Sequence, residues 1–173
     1  MRNAILFIST LFVLALVNFA IFQKQQILLE GENILLKLAP IDPRSMMQGD
    51  YMAFRYALED EMKDVDTASL LNHHFIVIKS DEDNVAHFIR VYNQETLAKD
   101  EKLFKFRYQQ APYSKITFKP SSFFFQEGLQ PLYQKAEYAI FHYRGIKDYL
   151  LIGVANNERT QINPPKSDNT VDE

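Results

Sequence analysis

The chain has 173 residues, of which 47% are hydrophobic, 24% charged and 13% aromatic, with a net charge of −3 and neither cysteine nor tryptophan. That length bounds a single domain, and an ordinary charged fraction with only 5 glycines and 7 prolines excludes collagen-like and wholly disordered chains. Zero cysteines exclude a disulfide scaffold, thiol catalysis and Cys-type zinc sites, and an acidic chain without a long Lys/Arg tract lacks the phosphate-neutralising charge that nucleic-acid binding needs.

From Ala4 to Phe22 the sequence AILFISTLFVLALVNFAIF carries no charge. As a helix it rises about 28 Å, close to the roughly 30 Å of bilayer hydrocarbon. Ser9, Thr10 and Asn18 can bond back to the helix, so none forbids insertion. The competing reading is a cleaved signal peptide, whose apolar region is usually about 7–15 residues and ends at a small-x-small site. Here the run is longer, and cleavage after Ala20 would leave Asn18 where a small residue is needed, which favours a retained anchor. Arg2 and the free amino group before the span, against Lys24, Glu30 and Glu32 after it, favour a cytoplasmic N-terminus and an extracytoplasmic domain. The expected organisation is an anchor over residues 1–23, a tether over 24–31, a β-rich domain over 32–155 and a polar, disordered tail over 156–173.

Beyond the anchor, short apolar runs alternate with charged turns. Asn33–Ala39 reads as a strand, and Pro40, Pro43 and Gly49 interrupt any regular structure up to Asp50. Tyr51–Leu58 alternates, with Met52, Phe54, Tyr56 and Leu58 on one face, which is the pattern of a half-buried strand. Asp60–Leu71 can hold a short helix. Phe75–Lys79 and Val85–Tyr92 flank Ser80–Asn84 as a hairpin with a longer loop. Lys102–Tyr108 puts Phe104, Phe106 and Tyr108 on one side and Lys105 and Arg107 on the other, and Ile116–Lys119 and Ser122–Phe125 are strand-like pieces separated by Pro120. Leu129, Leu132, Tyr133, Ala136, Ile140 and Tyr143 then fall three or four apart, which predicts a helix ending near Gly145, before a last strand, Asp148–Ala155. The fold class is therefore mostly β (α+β): an N-terminal transmembrane helix followed by a compact barrel- or sandwich-like β domain with one or two short helices.

The most distinctive segment runs from Leu38 to Tyr56. Pro43 fixes its own φ and pushes Asp42 toward extended geometry, Gly49 permits a positive φ, and Asp50 can bond backbone N–H groups in a turn. Gly49-Asp50-Tyr51 and Tyr56 resemble the signature of the GDYXXLXY proteins, with Phe54 at the signature's Leu position. Ala39-Pro40-Ile41-Asp42-Pro43-Arg44 is similar to that family's lead-in. Phe125-Gln126-Glu127-Gly128 is similar to its aromatic-x-Glu-Gly stretch, without the Val-Pro often seen there. The resemblance implies a bacterial membrane-anchored envelope protein of unknown function with a multi-span membrane partner, and it supplies no catalytic residues.

A second resemblance, to the Ser-Met box of type I signal peptidases, rests on Ser45-Met46 before Gly49-Asp50. The Pro after Ser-Met is missing and the spacing is short, and the Ser nucleophile would need a base, for which only Lys79 and Lys37 stand at strand ends. Ser45 as a turn-stabilising hydroxyl is the simpler reading. His73, His74, His87 and His142 invite a metal reading, of which only His74 and His87 with a carboxylate across the hairpin is geometrically conceivable. Phe123-Phe124-Phe125 reads first as core and second as an interaction patch.

The leading expectation is a membrane-anchored, extracytoplasmic binding or accessory protein without a cofactor, held in the bilayer by its N-terminal helix and acting with a multi-span membrane protein rather than with nucleic acid. Its binding residues are expected among Asp42, Arg44, Gly49, Asp50, Tyr51, Tyr56, Glu127 and Gly128. The alternative is a signal-peptidase-like Ser/Lys hydrolase at the membrane surface.

Overall fold

The uncharged N-terminal run, with no polar stripe and no helix breaker, forms one helix, α1 (Arg2–Glu30). The computed structural model describes residues 2–39, 47–48, 51–110, 112–146 and 148–165. The hydroxyls of Ser9 and Thr10 both donate to the Leu6 carbonyl and the Asn18 amide to the Leu14 carbonyl, so the polar groups of the span are satisfied within it. Residues 24–30, expected as a tether, are a continuation of the same helix. Nothing in Lys24–Glu30 breaks it, since Lys, Gln, Leu and Glu are all good helix formers.

The helix ends against the domain rather than short of it. Ile27 is only 1% exposed, the Leu28 carbonyl accepts from His142 Nδ1 at 3.1 Å, and Glu30 pairs with Arg144 at 3.2 Å. Gly31 makes that approach possible, because a Cβ there would sit 2.3 Å from the Ile27 carbonyl oxygen and 2.7 Å from His142 Cβ.

Beyond α1 come β1 (Glu32–Lys37), β2 (Met47–Gln48), β3 (Tyr51–Ala53), α2 (Ala57–Glu61), α3 (Thr67–Asn72), β4 (Phe75–Ser80), β5 (Ala86–Val91), β6 (Glu101–Gln109), β7 (Lys115–Phe118), β8 (Ser122–Phe124), α4 (Gln130–Tyr133), β9 (Tyr138–Gly145) and β10 (Asp148–Ala155). They form three antiparallel sheets, ordered β1-β9-β10, β2-β3-β8 and β5-β4-β6-β7, which curl around one aromatic core. The β4–β5 hairpin and the final strand match the sequence pattern. The mostly β, α+β domain behind an apolar helix is the architecture expected.

Four expectations change. The helix over 129–143 reduces to the single turn α4, and its second half is β9. β9 is paired on both edges and covered on both faces: Ala139 and Phe141 face the main core, while Ile140 joins Leu35, Val85 and Ala155 in a small cluster behind the sheet. A strand buried on both faces loses the alternation by which strands are read, and here its apolar residues imitate a helical stripe. The strand over Tyr51–Leu58 stops at Ala53, and Tyr56 becomes the N-cap of α2. The side-chain alternation survives that change, since Met52, Phe54, Tyr56 and Leu58 are all buried. Asp60–Leu71 is two helices, the second capped by Asp66 accepting from the Ser69 N–H at 2.9 Å. Of the tail, residues 156–165 are held to the domain: the Ile162 N–H donates to Val154, and Arg159 pairs with Asp83 at 2.8 Å.

The core centres on Tyr56, which is 0% exposed and packs edge-on against Phe118 and Phe54 and at a tilt against Phe141. Its hydroxyl donates to the Pro120 carbonyl, and burial pushes the phenol far above its ordinary range. At the seam between sheets, the hydroxyls of Tyr143 and Tyr149 accept from the backbone N–H groups of Leu103 and Lys105, on the stretch of β6 that β7 does not reach. Tyr56→Phe is expected to destabilise the domain by about 0.5–1.5 kcal/mol, because the half-buried Pro120 carbonyl loses its donor. Tyr56→Ala, which also empties the aromatic core, should cost about 3–5 kcal/mol. Denaturant melts of both variants check the ranking.

Acid sensitivity has an equally local origin. Glu101 takes a bidentate hydrogen bond from Arg90 and a backbone N–H from Ala98, which hold its carboxyl at about 2 against an ordinary 4.5. A carboxyl with a depressed folded pKa stabilises fully above its unfolded value and loses that contribution as pH falls. Stability should therefore drop between about 4.5 and about 2, and Glu101→Gln should flatten that part of the melting-against-pH profile.

Candidate functional site

Of the eight residues expected to bind, Asp42, Arg44, Gly49 and Asp50 lie outside the described residues. The other four fall in two different environments. Tyr51 is half-buried on β3, in register with Phe124 of β8, their rings 5.7 Å apart. Glu127 and Gly128 are exposed in the turn that leaves β8, closed by the Leu129 N–H donating to Gln126. The β3–β8 pairing thus brings the Tyr51 end of the first motif alongside the second one, although they are far apart in sequence. Tyr56 is not part of that surface: fully buried, with its hydroxyl consumed by Pro120, it is a core residue and cannot touch a partner.

Gly128 has φ +84°, and nothing lies within 4 Å of where its Cβ would be. The need for glycine there is conformational and not steric. Gly128→Ala should therefore cost about 1 kcal/mol in a thermal melt through backbone strain alone, and Gly128→Asn less, since Asn tolerates the left-handed region.

The histidines do not assemble. His73 Nδ1 bonds the Ser69 carbonyl, His142 bonds Leu28, and His87 faces Asp81 at 3.2 Å and Glu61 at 3.9 Å. His87 is in register with Lys79, five residues along from His74, which is about 16 Å of strand, so the two imidazoles expected to share an ion are too far apart. Among the described residues no group of three or more His, Asp and Glu converges as a metal site. Ser45 lies outside the described residues. Its two base candidates serve elsewhere: Lys79 pairs with Asp100 at 2.6 Å and Lys37 is exposed on β1.

Beside the motifs lies a cleft of about 790 Å³ between the end of β7, β8 and the β9–β10 hairpin, lined by Lys105, Lys119, Phe124, Ile146, Tyr149 and Leu151 among others. A second cleft of about 460 Å³ continues from it through the shared Lys105, Lys119 and Tyr149 toward Arg107 and His74. Neither lining contains Asp or Glu among the described residues. In a chain of net charge −3, this face is locally cationic. Phe124 is 73% exposed and Ile146 43%, so apolar surface stands open at the same place.

Sequence reasoning found half of this surface. The alternation of β6 already set Lys105 and Arg107 opposite the buried Phe104 and Phe106. Lys119, Ile146 and Tyr149 gave no comparable signal, since only tertiary pairing brings β7, β8 and the last hairpin to β6.

The profile of the family described as GDYXXLXY protein matches residues 13–145. No curated protein and no solved structure matches the chain.

Proposed function

Because the chain belongs to the GDYXXLXY family, we propose that it is a membrane-anchored, extracytoplasmic binding or accessory protein that works with a multi-span membrane partner. The observation that carries this reading is the unbroken passage of α1 into the domain. A helix whose last turn is buried at Ile27, bonded at Leu28 and ion-paired at Glu30 fixes the domain's orientation on the bilayer. A protein that only needed tethering has no use for that rigidity, whereas one that presents a face to a neighbour in the same membrane does. It also supports a retained anchor, because the helix end belongs to the folded domain.

The partner-facing surface in this reading is the motif end of the β3–β8 pair: Tyr51, Glu127 and Gly128, with Asp42, Arg44, Gly49 and Asp50 contributing from the same sequence motif. A photoreactive residue placed at Glu127 in intact cells should crosslink to one membrane polypeptide, and Asp50→Ala should abolish the adduct while the domain still melts as wild type. Absence of any polypeptide adduct, or a domain melted by Asp50→Ala, overturns the reading. A reporter fused after Glu173 that is active only outside the cytoplasm checks the orientation. Ser45→Ala should leave the crosslink and the cellular phenotype unchanged, as the hydrolase alternative forbids.

The junction itself makes a second prediction. Gly31→Val forces a side chain into the space held by the Ile27 carbonyl and His142. Protease sensitivity at Lys24 should rise in detergent, while the β domain retains its melting transition.

A further inference from the structure

We propose that the cationic cleft binds the headgroup of an anionic phospholipid from the bilayer in which α1 is anchored. Two lysines start the argument. The β6–β7 register ends at the pair Phe106 and Phe118, and the next residue beyond each, exposed Lys105 and Lys119, borders the same clefts. Both line both clefts, and neither has a carboxylate partner among the described residues; Lys119 Nζ reaches only the Ser121 hydroxyl, at 3.0 Å. Two like charges lining one cleft repel, and an anion bound between them offsets that repulsion. Arg107, two residues along on the same face, adds a third cation to the edge of the site.

Position supplies the second part. Lys102 Nζ pairs with Glu32, the first strand residue after the anchor, at 3.2 Å, and the Leu103 N–H donates to Tyr143, which is in register with Glu32. The cleft wall formed by Lys105 and Tyr149 is therefore at the membrane end of the domain. Leu150, which lines the same cleft next to Tyr149, is in register with His142, whose ring is bonded to Leu28 of the anchor. From Phe22, the last residue of the uncharged run, to Glu30 the helix rises about 12 Å, which spans the roughly 5–8 Å headgroup layer and ends a few ångströms beyond it. The hairpin tip at Ile146 turns back toward the anchor side from that level.

The chemistry of the lining fits an amphiphile better than a free anion. Phosphate would satisfy the lysines, but Phe124, Ile146 and Leu151 would remain wet beside it. A phospholipid places its phosphate on Lys105 and Lys119 and its glycerol and upper acyl carbons against the apolar wall, and it leaves the bilayer by no more than a headgroup's length. A basic side chain near an anionic membrane surface is worth about 1 kcal/mol, so the lysine pair is sufficient to discriminate charged from zwitterionic lipid.

The full chain, reconstituted in nanodiscs of phosphatidylcholine mixed with phosphatidylglycerol and extracted into detergent, tests this by native mass spectrometry. Wild type should retain phosphatidylglycerol in preference to phosphatidylcholine. Lys105→Glu combined with Lys119→Glu should lower that preference by about tenfold. The milder Lys105→Gln with Lys119→Gln should give a smaller loss with an unchanged melting temperature, and Lys37→Glu, at the far end of β1, no loss. Equal retention of the two lipids by wild type overturns the proposal, as does an equal effect of Lys37→Glu. So does a photoreactive residue at Ile146 whose adducts in nanodiscs or cells are polypeptide instead of lipid. Survival of the Glu127 crosslink in the double-lysine variants would separate this site from the partner surface.

Discussion

The three sheets meet at Tyr56. Its backbone bridges Leu38 at the end of β1, its hydroxyl holds the Pro120 carbonyl between β7 and β8, and its ring contacts Phe118 and Phe141 from two different sheets. One side chain therefore fixes how the anchored sheet sits against the sheet that carries the cationic cleft. Aromatic rings suit this role because each covers a large area with few rotatable bonds and accepts edge-on neighbours. Phe104 and Tyr149 extend the same packing to the cleft, stacked 4.4 Å apart, so the cleft floor is continuous with the core.

Rigidity then passes outward in two directions. Toward the membrane, β9 carries it to His142 and Arg144, which hold the last turn of α1. Toward the cleft, the tyrosine hydroxyls at 143 and 149 satisfy amides of β6 beyond the end of its pairing with β7, which closes the seam between sheets. In the proposed reading both features make the protein a platform: an end fixed on the bilayer, a cationic groove beside it, and the Tyr51 and Glu127–Gly128 surface carried on the small sheet. The ordinary alternatives, a floppy tether and a free-standing domain, would give neither a defined height nor a defined face.

Legibility in the sequence followed the local physics. Strands with one wet face, such as Lys102–Tyr108 and the β4–β5 hairpin, announced themselves by alternation, and the apolar run announced α1. The strand β9 did not, because Ile140 and Phe141 are both buried on opposite faces; residues 24–30 have the propensity to continue α1, but only the sheet shows where that last turn packs. Tyr56 was legible as a motif residue, but its spacing is equally that of a core strand, and burial resolved it in favour of the core. Glu127 and Gly128 are exposed in the turn after β8, and the positive φ of Gly128 was not anticipated.

The sequence by itself determined what is local or compositional: an uncharged helix long enough to span the bilayer, a β-rich domain of one core, the glycine turn after β8 and the family motif. These depend on propensity, period and charge, which are readable over a few residues at a time. Only the tertiary structure decided that the anchor is seated on β9, that Tyr56 is interior, and that Lys105 and Lys119 line the same cleft. Each of these is a meeting of segments remote in the chain, and chain separation carries no information about which unpaired charges or apolar surfaces will be left side by side once the core has closed.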